Sequence, residues 1–304
     1  MSQATDTIYG DVISSETVNE MKLARSKTEY AMDHLTDLSK LATKGVAVIH
    51  VPFINVEDAQ EIDINAAFEE PGEVTSGSND LPIDRSAGNP FNIDKKLDYQ
   101  TAVKTLKIKS ATAAKNILMK MDVAILIGVI GAVPAAAIVD FDTHATKPNI
   151  LSKKDIINAV AFLNENEVPL EDRFCFIGPK HHAQLLDIED FISVDKIGVR
   201  PDMPMKKGFL GHIAGIDFYS INHLPKVDKA GAVNATALKN DSTPIIFGHP
   251  LAYVWAKQLV STDSGLSPLS GKVLHVPSNT YGHKKLINEY LYQISDKTTA
   301  DPTS

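Results

Sequence analysis

Three groupings in the sequence carry residue types able to do chemistry. His181 and His182, with Asp187 and His212 as further donors, are the side chains that hold a transition metal. Neighbouring histidines on a helix point about 100° apart, so an adjacent pair seldom shares one ion. No H-E-x-x-H or comparable spacing supplies a better set, and no metal is expected. Asp140-Phe141-Asp142 places two carboxylates on one side of a strand, the raw material of general acid–base work. They follow an apolar segment and precede a loop, which fits a solvated strand edge. Gly208-x-x-Gly211-x-x-x-Gly215 lacks the spacing and the following βαβ unit of a dinucleotide-binding turn. Glycines in a bend or at a close backbone approach explain it better. Cys175 is the only cysteine, which excludes an intrachain disulfide and a cysteine-only metal site and fits a reducing cytoplasm. Without a G-x-S-x-G, a P-loop or a Cys–His pairing, no nucleophile can be named. The chain is expected to be no enzyme and to use no cofactor.

Charge is distributed more informatively. Between Asn55 and Asn89 the acids Glu57, Asp58, Glu61, Asp63, Glu69, Glu70, Glu73, Asp80 and Asp84 accumulate with no Lys or Arg before Arg85. Lys95, Lys104, Lys107, Lys109, Lys115 and Lys120 follow close behind. The acidic stretch has too few large apolar residues to fold alone; it is either a loose surface loop or an extension that orders against a neighbouring molecule. Opposite charge would steer the acidic residues Glu57, Asp58, Glu61, Glu69, Glu70 and Glu73 of one copy onto Lys104, Lys107, Lys109 and Lys115 of another. The same lysines could equally meet nucleic-acid phosphates without reading sequence.

The elements that must position these groups are legible in outline. The chain has 304 residues, 43% hydrophobic and 22% charged, which is ordinary globular composition with enough length for one large domain or two medium ones. A formal charge of −8 argues against a protein that grips nucleic acid with its whole surface. The N-terminus lacks a secretory pattern. Val123 to Val139 is uncharged but short for a spanning helix, holds Gly128, Gly131 and Pro134, and reads as buried core. Residues 1–44 read as an arm with weak helical periodicity. Val46–Phe53 reads as a strand, Asn55–Asn89 as a long loop of β type, and Asn89–Asp94 as its returning strand. Asp98 to Ile127 is the longest helical pattern, with Val103, Leu106, Ala111, Ala114, Leu118, Met121 and Ile125 on one stripe. Ser152-Lys153-Lys154-Asp155 is a capping signature, Arg173–Gly178 a strand, and Pro179–Leu186 a helix. Phe209–Ser220, Thr243–Trp255 and His283–Ile294 read as strands, and Val260–Asn279 as loop-rich. Short helices with non-local strands imply an α+β fold.

The order of these elements, and some of their wording, resembles the Hong Kong 97-type capsid fold of tailed bacteriophages. Phe91-Asn92-Ile93-Asp94 with Asp98 and Gln100 is similar to that family's loop-return strand entering its spine helix, and Met121-Asp122 falls where the spine helix commonly carries an aspartate. Ser152–Pro169 followed by Arg173–Pro179 resembles the helix–strand unit of the axial domain. Gly208–Tyr219 with Asn222 and Leu224-Pro225 resembles its paired strands, and Thr280-Tyr281-Gly282-His283-Lys284 its closing strand. The likeness spans about Gly45 to Ile294.

The resemblance implies five parts: an N-terminal arm (1–44), a strand and extended β loop (45–97), a spine helix and peripheral domain (98–131), an axial domain with associated strands (132–260), and peripheral return strands with a tail (261–304). It implies a major capsid protein that assembles into pentamers and hexamers of an icosahedral virion shell around double-stranded DNA. Scaffolding, portal and decoration (cement) proteins would be its partners. Assembly would take place in the host cytoplasm, with no membrane contact. Nothing marks the lysine, asparagine and glutamate that covalently crosslinked shells need. An encapsulin-like compartment shares the fold and is the nearest rival; a cytosolic hydrolase or nucleotide-binding enzyme would instead need a deep polar pocket.

Overall fold

The computed structural model describes residues 30–43, 46–54, 76–94, 103–141, 150–186, 188, 209–228, 232–233, 242–266 and 272–295. A long helix, α1 (Val103–Ala132), lies against two sheets. At about 1.5 Å per residue it is a rod of about 45 Å. Its inner face is Ala114, Ile117, Leu118, Met121, Ile125, Leu126, Val129 and Ile130, all buried. Of the expected stripe, Ala114, Leu118, Met121 and Ile125 are in the core; the Val123–Val139 segment, expected as buried core, is buried only on one side, with Ile127 and Val139 exposed, and continues through a 3-10 turn at Ala135–Ala137. Among the described residues no helix is long and apolar enough to cross a membrane.

The first sheet has five strands. A long hairpin, β11 (Tyr253–Leu266) and β12 (Lys272–Lys285), forms its centre. β1 (Thr36–Asp37) adds in parallel to β11; β4 (Arg85–Gly88) and β5 (Phe91–Asp94) add antiparallel to β12. This corrects the loop reading of Val260–Asn279, whose Ser, Thr, Pro and Asn content hid a strand pair held by ladder bonds and cross-strand neighbours rather than by propensity.

The second sheet has six strands in the order β6 (Ile138–Val139), β13 (Leu291–Ile294), β10 (Ile245–Gly248), β7 (Arg173–Ile177), β9 (Ile216–Ser220) and β8 (Phe209–Ile213). Both faces of its middle are covered. β7, β10 and β13 are buried at every position, as expected of strands without a wet face, and apart from Arg173 and Gln293 their residues are apolar. The β8–β9 hairpin turns on Ala214 (φ 52°) and Gly215 (φ 83°), the two left-handed residues a tight hairpin requires, so the glycine does mark a bend. The 209–220 segment is thus two strands. Likewise, 243–255 and 283–294 are each broken by a 3-10 turn, at Pro250–Ala252 and Asn288–Tyr290.

Helix α2 (Lys153–Glu165) begins with the capping box read from the sequence. The Ser152 hydroxyl accepts from the Asp155 N–H at 3.3 Å, and the Asp155 carboxylate accepts from the Ser152 N–H at 2.9 Å. Helix α3 (Pro179–Leu185) starts on its proline as expected.

A separate two-stranded ribbon, β2 (Val48–Ile54) and β3 (Ser76–Pro82), leaves the body beside β12. Here the sequence reading was misplaced. The strand returning to β2 is Ser76–Pro82, read as part of the long loop, whereas Phe91–Asp94 pairs with β12. Glycine and serine suit a turn in isolation, but a partner strand overrides that preference.

Candidate assembly surface

The ribbon joins the body through an apolar root. Ile49, Leu81 and Ile83 pack with Ala42, Val254 and Ala256 in a small cluster of their own. Further out, His50, Pro52, Ser78 and Asp80 are exposed, and His50 Nδ1 meets Asp80 Oδ1 at 2.6 Å across the strands. Hydrogen bonds from His50 and Ser78 hold the Asp80 carboxyl below its ordinary range. A two-stranded ribbon is marginal by itself in water.

The outer face of α1 is the second such surface. Ile108 (65% exposed), Thr112, Lys115, Asn116, Met119 (41%), Lys120, Ile127 (42%) and Gly131 follow one another along solvent. In its last three turns the helix is thus apolar on the side facing water as well as on the side facing the core. A helix that is apolar all round is ordinarily covered all round.

The two surfaces are held in place by three internal locks. Asp122, fully buried on α1, accepts from the Ala31 N–H at 3.1 Å and the Met32 N–H at 2.8 Å, and also pairs with His223 Nε2. The Trp255 indole N–H donates to the Met32 carbonyl at 2.9 Å. Residues 30–35, expected as part of a loose arm, therefore form a strap whose Tyr30, Ala31, Met32 and Leu35 lie in the main core. The second lock is Tyr253 with His283: hydroxyl and Nδ1 are 2.6 Å apart, against α1 at Gly128. A Cβ at Gly128 would overlap the Tyr253 hydroxyl and come within 2.8 Å of the His283 ring. Burial, aided by the nearby Arg85 charge, lowers the His283 pKa to about 4. Burial also pushes the Tyr253 phenol well up. The third lock is Gly282. A Cβ there would overlap the Pro82 carbonyl oxygen at the ribbon root and lie 2.8 Å from its carbon.

Of the charged residues singled out in the sequence, Glu57, Asp58, Glu61, Glu69, Glu70 and Glu73 lie outside the described residues. Lys104 and Lys107 fall in the first two turns of α1. Lys115 is exposed, while Lys109 donates to the Asn92 carbonyl of its own chain at 2.5 Å. The sequence signalled Asp122 only through the family likeness. Gly128, Gly282 and Trp255 carried no local signal, because their partners are distant in the chain.

The chemical candidates resolve into structural roles. His181 is buried, its Nε2 2.9 Å from the Thr243 carbonyl and its Nδ1 2.9 Å from Gln184 Oε1; burial lowers its pKa. His212 Nδ1 meets Asp217 Oδ1 at 2.6 Å within the β8–β9 hairpin. Asp187 and Asp142 lie outside the described residues, and the Asp140 carboxylate accepts from the next N–H, that of Phe141, at 2.9 Å. Among the described residues no group of three or more His, Cys, Asp or Glu could hold a metal ion. Cys175 is buried, and burial raises its thiol pKa. A cavity of about 200 Å³ bounded by Leu170, Glu171, Arg173, His212 and Asp217 falls below the roughly 300–1,000 Å³ usual for small-molecule sites.

No protein-family model matches the chain, and no curated protein matches it. Solved structures do. A capsid structure of the cyanophage P-SCSP1u is similar over 89% of this chain and 89% of that one, with a TM-score of 0.65 and 14% identity. The capsid of Ralstonia phage GP4 covers 92% of this chain and 93% of its own, with a TM-score of 0.65 and 10% identity. A virus-like particle from Pyrococcus furiosus covers 94% and 99%, with a TM-score of 0.57 and 12% identity. At such identities the likeness is one of fold, and it extends over about nine-tenths of the chain: the chain has a phage-capsid-like fold of mixed helix and sheet.

Proposed function

We propose that this chain is the major capsid protein of a tailed bacteriophage, a structural component of the virion rather than an enzyme. In this reading it has the Hong Kong 97-type subdivision: arm 1–44, strand and extended loop 45–97, spine helix and peripheral domain 98–131, axial domain 132–260, and return strands with tail 261–304. Copies form pentamers and hexamers that close into an icosahedral shell around double-stranded DNA. The observation that supports this best is a pair of protruding surfaces on a capsid-type fold: a two-stranded ribbon joined to the body at its root and a long helix that exposes Ile108, Met119 and Ile127 to solvent. A neighbouring copy would cover both, and burying apolar area at about 25 cal/mol per Å² gives a modest contact that a closed lattice repeats many times.

The acidic residues Glu57, Asp58, Glu61, Glu69, Glu70 and Glu73 of one copy would run beside Lys104, Lys107 and Lys115 of the next, with Lys109 occupied by Asn92 in its own chain. Such pairing sets register and makes assembly salt-sensitive. Scaffolding and portal proteins are the partners expected for this role in a host cytoplasm, and a decoration protein is an optional third. Negative-stain microscopy and sedimentation of the purified protein, alone and with a scaffolding protein, test the proposal. Closed shells are the expected product; a monomer or small oligomer under every condition overturns it. The alignment with nearly all of the Pyrococcus furiosus particle chain, at a TM-score below those of the P-SCSP1u and GP4 capsids, supports one second, weaker reading, a compartment for protein cargo. Protein rather than double-stranded DNA inside shells made in the native host would decide for that reading.

A further inference from the structure

Three elements converge on one short stretch of β12. Tyr281 pairs with Arg85 of β4, Gly282 with Ala256 of β11, and His283 with Trp255 of β11. Gly282 is the contact point for the ribbon. A Cβ would overlap the Pro82 carbonyl oxygen, sit 2.8 Å from the Pro82 carbonyl carbon and lie 3.1 Å from the Ile83 Cα. These are backbone atoms, which no rotamer change can move aside. The root is also tied by the Ile83 N–H donating to the Ala47 carbonyl at 2.9 Å and by the cluster of Ile49, Leu81 and Ile83 on Val254 and Ala256. The ribbon thus rests backbone to backbone on the hairpin. On the same strand, the next residue, His283, rests on α1 at Gly128.

We infer that Gly282 sets the angle at which the β2–β3 ribbon leaves the body, and through it the geometry with which one subunit meets the next. Gly282 is a positioning residue: the bare backbone lets Pro82 sit flush on β12, and the ribbon acts as a lever from that seat. The second half of the inference rests on the capsid reading; the first half, the angle, does not.

The test separates them. Spin labels placed at His50, one residue beyond the root, and at Asn116, on the exposed face of α1, report the angle in the unassembled chain. The buried Cys175 does not compete for the label. In Gly282→Ala the most populated distance should shift by at least about 1 Å, the order of the displacement needed to relieve an overpacked contact. An unchanged distance overturns the inference. Should Gly282→Ala fail to fold, the unsubstituted chain decides: one narrow distance distribution supports a fixed root, and a broad one overturns it. In assembly, Gly282→Ala should change shell diameter or cut the yield of closed shells about tenfold, because a mis-set contact recurs in every subunit. Gly265→Ala, on the same hairpin with nothing near its Cβ position, is the control and should assemble normally. Parental shells in parental yield from Gly282→Ala overturn the geometric half. A parent that forms no shell at all refutes the capsid reading, and the spin-label distance still decides the angle.

Discussion

Acid should loosen the seat of the long helix through one histidine. His283 is held neutral by burial and by the Arg85 charge, its pKa lowered from 6.5 to about 4. Between those two pH values the unfolded chain binds a proton that the folded chain refuses. The stability that comes from the neutral ring is therefore complete above pH 6.5 and is lost as pH falls toward 4. Each pH unit in that window is worth about 1.4 kcal/mol for one proton, giving a loss of about 3 kcal/mol at its lower end. Protonation also removes the Nδ1 lone pair that the Tyr253 hydroxyl can donate to, across 2.6 Å. His283→Gln removes the titration. Urea unfolding of unassembled protein, followed by the fluorescence of the single buried Trp255, measures both chains between pH 7 and pH 4. His181 and His249, whose pKa values burial also lowers, destabilise with acid in both chains and cancel in the comparison. The parent should lose about 3 kcal/mol more than His283→Gln over this range. Parallel loss in the two chains would refute the reasoning.

Asp122→Ala strands the Ala31 and Met32 N–H groups and His223 in the core, so it should cost about 3 kcal/mol or more in the same urea assay, and protease should then reach the chain near Tyr30. Gly131→Ala lies on the exposed face of α1 with nothing within 4 Å of its Cβ position, and should raise stability by about 0.5–1 kcal/mol. Met119→Glu combined with Ile127→Glu should leave monomer stability within about 0.5 kcal/mol, as surface changes do, while sharply reducing shell formation in sedimentation.

What the sequence made legible is what local physics dictates. Ser152 and Asp155 announce a helix start because their capping bonds span three residues. Arg173–Ile177 reads as a strand because both its faces are buried and the run from Phe174 to Ile177 is apolar without a break. Ser76–Pro82 and Val260–Asn279 do not read as strands, because their pairing comes from a distant segment and outweighs their own turn preference. The inner stripe of α1 was legible through Met121 and Ile125, but the apolar outer face was not separable from it without knowing which side the sheets occupy. The locks were least legible of all. Met32 meets Trp255 across 223 positions, and Asp122 meets His223 across 101.

That long separation has a bearing on how the molecule is made. Met32 of the strap is translated 223 residues before the Trp255 indole that fixes it, and the strand that pairs with β11 ends at Lys285. Contacts so distant in sequence form slowly and late. A nascent polypeptide therefore cannot close this lock until the β11–β12 hairpin has been made.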